Sequence, residues 1–401
     1  MKLTKTVVMT SILALVSGAA WAQDPIALKL GVLNDRSGVY ADLSGEGSVI
    51  AAQMAVEDFG AADKGMTVEI VSADHQNKPD IASNIARQWI DSDGVDLILD
   101  VPTSSAALAV AEIVKEKNKI VMISGGGTSD LTGSKCSPNT VHWTYDTWAL
   151  GNGTPTALVK EGQKSWFFIT ADYAFGHALE KDASAAVTAA GGEIKGQVKH
   201  PFPGQDFSSY LLQAQSSGAQ VIGLANAGGD MINTVKQASE FGITQGGQTL
   251  AGLLVFITEV HALGLEAAQG LMLTDAFYWD QNDGTREWSK RFAERHGGDM
   301  PTSVHAGVYA STLHYLKAVE AAGSKETEAV MAKMKETPTD DPLFGKGEVR
   351  VDGRATHDMY LFKVKAPADS KGPWDYYEQV SVIPAADAWR PLDQGGCSLV
   401  K

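Results

Sequence analysis

Beyond its first residues, the sequence has no apolar run of the roughly 20 residues needed to cross a bilayer, and it holds only two cysteines, Cys136 and Cys397. The body of the chain is therefore expected to stay in water. Two cysteines fit one disulfide better than a metal site or two free thiols, provided the compartment is oxidising. Positive charge is also scarce. Lysine and arginine number 33 against 48 aspartates and glutamates, a formal charge of −15. Such a chain repels phosphate backbones, which excludes nucleic acid as a partner. Any anion site must then be a local feature.

Signatures of catalysis are missing too. There is no Gly-x-x-x-x-Gly-Lys-Ser/Thr loop, no His-Glu-x-x-His pair and no Gly-x-Ser-x-Gly elbow, and the nine histidines show no ligand spacing. Gly45-Glu46-Gly47-Ser48-Val49-Ile50-Ala51 has the letters of a dinucleotide fingerprint. Its first glycine should follow a strand directly, whereas the nearest predicted strand ends at Leu33, twelve positions earlier. These glycines read as loop-to-helix packing, and Asp340-Asp341 before Pro342 as a solvated turn. No catalytic residue, metal or cofactor is expected.

What is present begins with the N-terminus. Lys2 and Lys5 precede an apolar stretch over residues 7–16, and Ala20-Trp21-Ala22 gives the small-x-small pattern of a cleavage site. Residues 1–22 are expected to be a signal peptide, with cleavage after Ala22 and a periplasmic product. In that compartment a Cys136–Cys397 bridge would tie the tail to the first third of the chain. Closing so long a loop stabilises by roughly 5 kcal/mol in the chain-entropy model.

The remaining chain, too long for one core, repeats a rhythm of short apolar strand, small-residue loop and amphipathic helix. Strands are predicted over 28–33, 67–72, 97–101 and 120–123, with helices over 50–59, 80–91 and 106–118; Ile81, Ile85 and Trp89 share one helical face. The rhythm breaks over 142–147, a candidate hinge, and restarts with strands over 165–170, 194–198, 221–225 and 249–254. This predicts an α/β fold of two Rossmann-like lobes with parallel central sheets and a three-crossing hinge. The expected division is 23–145 plus 277–348 for lobe 1, and 146–276 plus 349–401 for lobe 2 and the tail.

Ligands of open parallel sheets bind beyond the carboxyl ends of the strands. In lobe 1 these loops are Pro102-Thr103-Ser104-Ser105 and Ser124-Gly125-Gly126-Gly127-Thr128-Ser129, rich in hydroxyls and exposed backbone N–H groups. They suit a carboxylate, although Ser and Thr there also serve as helix caps. In lobe 2 the loop Ala171-Asp172-Tyr173-Ala174-Phe175-Gly176 is aromatic, and Asn226-Ala227-Gly228-Gly229 is small and polar. Trp143, Tyr145 and Trp148 lie at the first hinge segment, and Phe277, Tyr278 and Trp279 at the second. A cleft between such lobes would hold a molecule with a polar end and a flat apolar body.

Several segments together resemble the type I periplasmic solute-binding proteins of branched-chain and hydrophobic amino-acid ABC transporters. They are Lys29 to Gly38, Thr103-Ser104-Ser105, Ile123 to Thr128, Asp172 to Gly176 and the stretch from Gly345 to Gly353. The resemblance implies a binding protein working with transporter membrane subunits as a monomer. It places a ligand carboxylate on Thr103, Ser104, Gly126, Gly127 and Thr128, with Leu43, Tyr145, Tyr173, Phe175, Asn226 and Phe277 around the rest. In the amino-acid binders an acid after the last strand of lobe 2 takes the ligand ammonium; the matching stretch here, Gly252-Leu253-Leu254-Val255, has none. Asp172 or Asp230 could stand in, and Arg36 could meet a carboxylate or simply be solvated. The likeness is nearer still to the branch that binds aromatic acids such as benzoate or cinnamate derivatives. The other ligand readings are a branched-chain amino acid, an amide or urea; a sensory role with a membrane receptor is the alternative to transport.

Overall fold

The computed structural model describes residues 25–401, so the signal-peptide reading lies outside the described residues. Lobe 1 is built on β1 (Ile26–Asn34), β2 (Met66–Asp74), β3 (Leu97–Asp100), β4 (Ile120–Ile123) and β5 (Thr140–His142), all parallel in the order β2-β1-β3-β4-β5. Side chains alternate across a strand. Leu28, Leu30 and Val32 of β1 therefore join one core, beneath α1 (Gly45–Phe59) and the helix Ser303–Ala322. Leu33, Ile98 and Val121 join the other, beneath α2 (Pro79–Asp91) and α3 (Ser104–Glu116).

α2 shows how close periodicity comes. Its buried stripe is Ala82, Ala86 and Trp89, with the expected Ile81 and Ile85 at its flanks. The alanines let α2 approach α3, and Trp89 lies over Gly31, where any side chain would collide with its ring.

The chain leaves lobe 1 through 143–146 and enters α4 (Thr147–Lys160), whose first turn is capped by Asp146 accepting from Ala149 N–H at 2.9 Å. Lobe 2 holds β6 (Ser165–Ala171), β7 (Glu193–His200), β8 (Val221–Ala225), β9 (Thr249–Gly252) and β10 (Met272–Asp275). Its helices include α5 (Ala174–Ala189), α6 (Ser208–Ser216), α7 (Gly229–Glu240) and α8 (Ile257–Leu263). β6 is buried along its whole length. Trp166 and Phe168 face the core shared with α4 and α5, and Phe167 and Ile169 face the opposite core.

A second crossing returns to lobe 1 after β10 and leads to helices that pack with α1. β11 (Thr339–Asp341), β12 (Gly345–Val349) and β13 (Ala355–Thr356) form a small antiparallel sheet beside the third crossing. Two last strands, β14 (Met359–Val364) and β15 (Tyr377–Ile383), add antiparallel to the edge of the lobe 2 sheet, in the order β15-β14-β10-β9-β8-β6-β7. β15 is the edge strand, and its Val380 and Val382 face solvent. The tail then returns to lobe 1, where Cys397 is bonded to Cys136. Among the described residues no helix is long and apolar enough to cross a membrane.

Candidate functional site

Loops from the carboxyl ends of both sheets converge on a tight cavity between the lobes, with about 10 Å³ open to water. Lobe 1 contributes Tyr40 and Leu43 after β1, Pro102 after β3 and Gly125 after β4; Tyr145 projects from the first crossing. Lobe 2 contributes Tyr173 and Phe175 after β6, Ala227 after β8, and Leu254 and Phe256 after β9. No charged side chain lines it. A larger open groove, about 400 Å³, lies at the far end of lobe 2 by the starts of β9 and β10, away from the strand ends where ligands of this architecture bind.

Behind the Gly125 wall lies Ser104, at the N-terminus of α3; it is fully buried, and neither it nor Gly127 lines the cavity. Its Oγ accepts from Gly127 N–H at 3.2 Å and Thr128 N–H at 3.1 Å. Those two bonds use the oxygen as acceptor and leave the hydroxyl proton free to donate. Gly127 carries no side chain because a Cβ there would sit 2.9 Å from the ring of Phe175 and 3.3 Å from that of Tyr145. The loop is held at both ends: Tyr145 Oη donates to Gly125 O at 2.8 Å, and Thr147 N–H donates to Gly127 O at 2.8 Å.

Aromatic groups close the other side. Tyr40 and Tyr173 reach across the lobes with their hydroxyls 2.5 Å apart, and Phe202 stacks on Tyr173 at 4.2 Å between centroids. Burial pushes both phenols well above their ordinary range, so they stay neutral hydrogen-bonding groups. Gly229 N–H donates to Val39 O at 3.1 Å, a second bond between lobes.

Of the residues expected from sequence, Leu43, Tyr145, Tyr173 and Phe175 line the cavity. Gly126 instead packs against α3, with Ala107 and Val101 O each 2.8 Å from where its Cβ would be. Thr128 Oγ1 caps the next turn, accepting from Asp130 N–H at 3.3 Å, and Thr103 Oγ1 bonds to Asn77. Asn226 turns away to His200 at 3.2 Å and Thr234 at 3.1 Å. Phe277 does not reach the cavity; the second crossing carries it into the lobe 1 core, edge-on to Trp288 at 6.0 Å. Arg36 pairs with Glu46 on the surface, and Asp172 pairs with His177 at 2.7 Å. Asp230 is buried, with Gly204 N–H donating to it at 2.9 Å, and burial pushes its carboxyl up to about 7.

Pro102, Gly125, Ala227 and Leu254 line the cavity from segments that the sequence singles out without naming them as ligand residues, and Tyr40 and Phe256 come from outside those segments. The rule that selects strand-end loops also selects those of Tyr40 and Ala227; Phe256 lies just past the end of a predicted strand.

Asp100, at the end of β3, is fully buried beneath Gly125. It accepts from Ser44 Oγ at 2.6 Å and Asn34 Nδ2 at 3.2 Å, so it ties β3 to the loop carrying Leu43. Asp100 and Val101 both take left-handed backbone angles, φ +81° and +48°, a strained pair at the mouth of the cleft. Burial pushes the Asp100 carboxyl up to about 6. A carboxyl raised on folding stabilises most below its unfolded pKa of about 4, and that contribution is lost as pH rises through 6. Asp100→Asn is therefore expected to gain in melting temperature relative to the parent as pH rises from 4 to 7. A constant difference across that range would show that Asp100 does not titrate there.

Two α/β lobes, three crossings and an interlobe cavity at the strand ends define a type I solute-binding protein. The chain belongs to the periplasmic binding protein family, whose model matches residues 27–373. It is similar to a periplasmic binding protein from Burkholderia mallei, with 49% identity and a TM-score of 0.91 over 94% of this chain and 100% of that one. A branched chain amino acid ABC transporter periplasmic ligand-binding protein from Burkholderia xenovorans LB400 shares 42% identity, with a TM-score of 0.84 over 93% and 100%. A solute-binding protein of an ABC transporter from R. palustris, in complex with benzoate, shares the fold: 22% identity and a TM-score of 0.81 over 93% and 99%. The family is periplasmic, and this chain is a binding protein of ABC transport rather than an enzyme.

Proposed function

We propose that the protein captures a small aromatic monocarboxylate in the interlobe cavity and presents it, as a monomer cleaved after Ala22, to the membrane subunits of an ABC transporter. The observation that carries this reading is a small aromatic-walled cavity with no charged side chain, in which Leu254 occupies the stretch where an amino-acid binder needs an acid. An ammonium buried there without a partner costs several kcal/mol. A carboxylate is better served. The hydroxyl proton of Ser104, which no hydrogen bond uses, and the N-terminus of the 13-residue α3 lie behind the Gly125 loop, within reach of a carboxylate once that loop gives way. The space between Tyr145, Phe175 and Phe256 is about 10 Å³, so the lobes part to admit the ring there.

A micromolar dissociation constant needs about −8 kcal/mol, within reach of a ligand of about ten heavy atoms. The Tyr40–Tyr173 and Val39–Gly229 bonds hold the lobes over the ligand, and the closed surface is what the transporter reads.

The test is a thermal-shift comparison of the ligand-stripped protein with benzoate and cinnamate against leucine, valine and phenylalanine. Ligand at a hundred times its dissociation constant adds about 2.7 kcal/mol to stability. The acids are expected to raise the melting temperature and the amino acids to leave it unchanged. A shift with an amino acid alone overturns the reading and points to Asp230 as the partner of the ammonium.

A further inference from the structure

The tail beyond β15 does more than end the chain. Trp389 is buried in the lobe 2 core, donates Nε1–H to His357 O at 2.9 Å, and lies under the guanidinium of Arg354 at 4.2 Å. Arg354 is itself fully buried and donates to Tyr145 O at 3.0 Å, so the tail rests on both the first and the third crossing. Arg350 fixes the next residue by donating to Arg390 O at 3.0 Å. From there the chain runs over the surface to Cys397 and its bond to Cys136 in lobe 1. The tail is a strap between the lobes, anchored at Trp389 and at the disulfide.

Between those anchors Arg390 points inward. Its Nη2 donates to Ser129 O at 2.7 Å. Ser129 directly follows the glycine-rich loop, and each of its polar groups is engaged. Its N–H donates to Thr147 Oγ1 at 3.0 Å, at the start of α4 in lobe 2. Its hydroxyl donates to Asp182 Oδ2 at 2.9 Å, in lobe 2, and the same oxygen accepts from Thr147 Oγ1 at 2.6 Å. Gly133 gives the strap its seat, because a Cβ there would lie 2.8 Å from Gly395 O. Strap and lobe 2 thus meet on the residue that follows the 125–128 loop.

We propose that the C-terminal strap positions the ligand loop: Arg390 is a positioning residue that fixes Ser129, and through it Gly125, Gly127 and Thr128, and the Cys136–Cys397 bond holds Arg390 in place. This rests on the reading of the interlobe cavity as the binding site. A staple that served stability alone would need neither an arginine on a loop carbonyl nor a glycine seat beside it.

The test uses the mature chain with Arg390→Gln, Arg390→Lys, Gly133→Ala and the double variant Cys136→Ser/Cys397→Ser. Amide hydrogen exchange over residues 124–129 is measured without ligand, and benzoate affinity by calorimetry. Arg390→Gln, Gly133→Ala and the double variant are expected to speed exchange in that segment. They should also weaken benzoate about tenfold, the size of losing one hydrogen bond from a charged donor. Arg390→Lys, which keeps a donor, is expected to recover part of both. If melting temperature falls while exchange over 124–129 keeps its parental rate, the strap is only a staple and the proposal is overturned. A parent that fails to bind benzoate sinks the aromatic-acid reading instead; the exchange measurement still decides the role of the strap.

Discussion

Leu254→Glu is expected to weaken benzoate by at least a hundredfold and to lower the melting temperature of the ligand-free protein. Leu254 is 3% exposed and packs in the lobe 2 core that also holds Tyr145, Phe175 and Phe256. A carboxylate there enters an apolar wall with no charged neighbour lining the cavity. It must either pay for desolvation, several kcal/mol per ion, or take up a proton. When ionised it also repels the ligand's own carboxylate across a small cavity. The hundredfold loss corresponds to about 2.7 kcal/mol, the lower end of such costs.

The same substitution supplies what an ammonium needs. Phenylalanine or leucine is therefore expected to gain affinity in the variant that it lacks in the parent. Leu254→Gln separates the two effects, because it adds polarity without charge and should weaken benzoate while giving the amino acids nothing. Unchanged benzoate binding in Leu254→Glu would place the ligand somewhere other than this cavity. Isothermal titration of both ligands against the three proteins is the measurement.

The contrast between loops and strands explains how much of this was legible in sequence. Strand and helix periods carry the two-lobed plan, since the alternation of Leu28, Leu30 and Val32 is written in the residues themselves. The strand-end rule then selects the loops of Ser104, Gly127, Tyr173 and Phe175. It says nothing about the direction of a side chain once regular structure has ended. Asn226 and Ala227 are neighbours, yet the asparagine turns to His200 and Thr234 while the alanine faces the cavity. Phe277 and Tyr145 both sit in crossings. Tyr145 finds Gly125 O across the cleft, whereas Phe277 is drawn under Trp288 into the lobe 1 core. Tyr40 owes its position to Asp35, whose carboxylate accepts from Gly38 N–H at 2.8 Å and Tyr40 N–H at 2.9 Å and so folds the loop over the cleft. That turn needs only an aspartate and a glycine, a pairing too common to read as a site.

Ser104→Ala is expected to cost both stability and affinity, and the two losses have separate causes. The hydroxyl oxygen is the acceptor for Gly127 N–H and Thr128 N–H, and Ser104 is fully buried. Removing it strands two buried donors, at about 1–3 kcal/mol each. The melting temperature falls by that route with or without ligand. Affinity falls because a hydroxyl proton free to meet a carboxylate is gone, and because the loop carrying Gly125 and Gly127 is no longer held. Benzoate is expected to weaken by about a hundredfold, the sum of a lost charged hydrogen bond and a loosened loop. Ser104→Cys keeps a weak acceptor and donor, so it is expected to restore part of the melting temperature and less of the affinity. A variant that loses stability yet binds benzoate with the parental constant, measured by calorimetry below its transition, would leave Ser104 as a brace for the loop and move the ligand carboxylate elsewhere in the cleft.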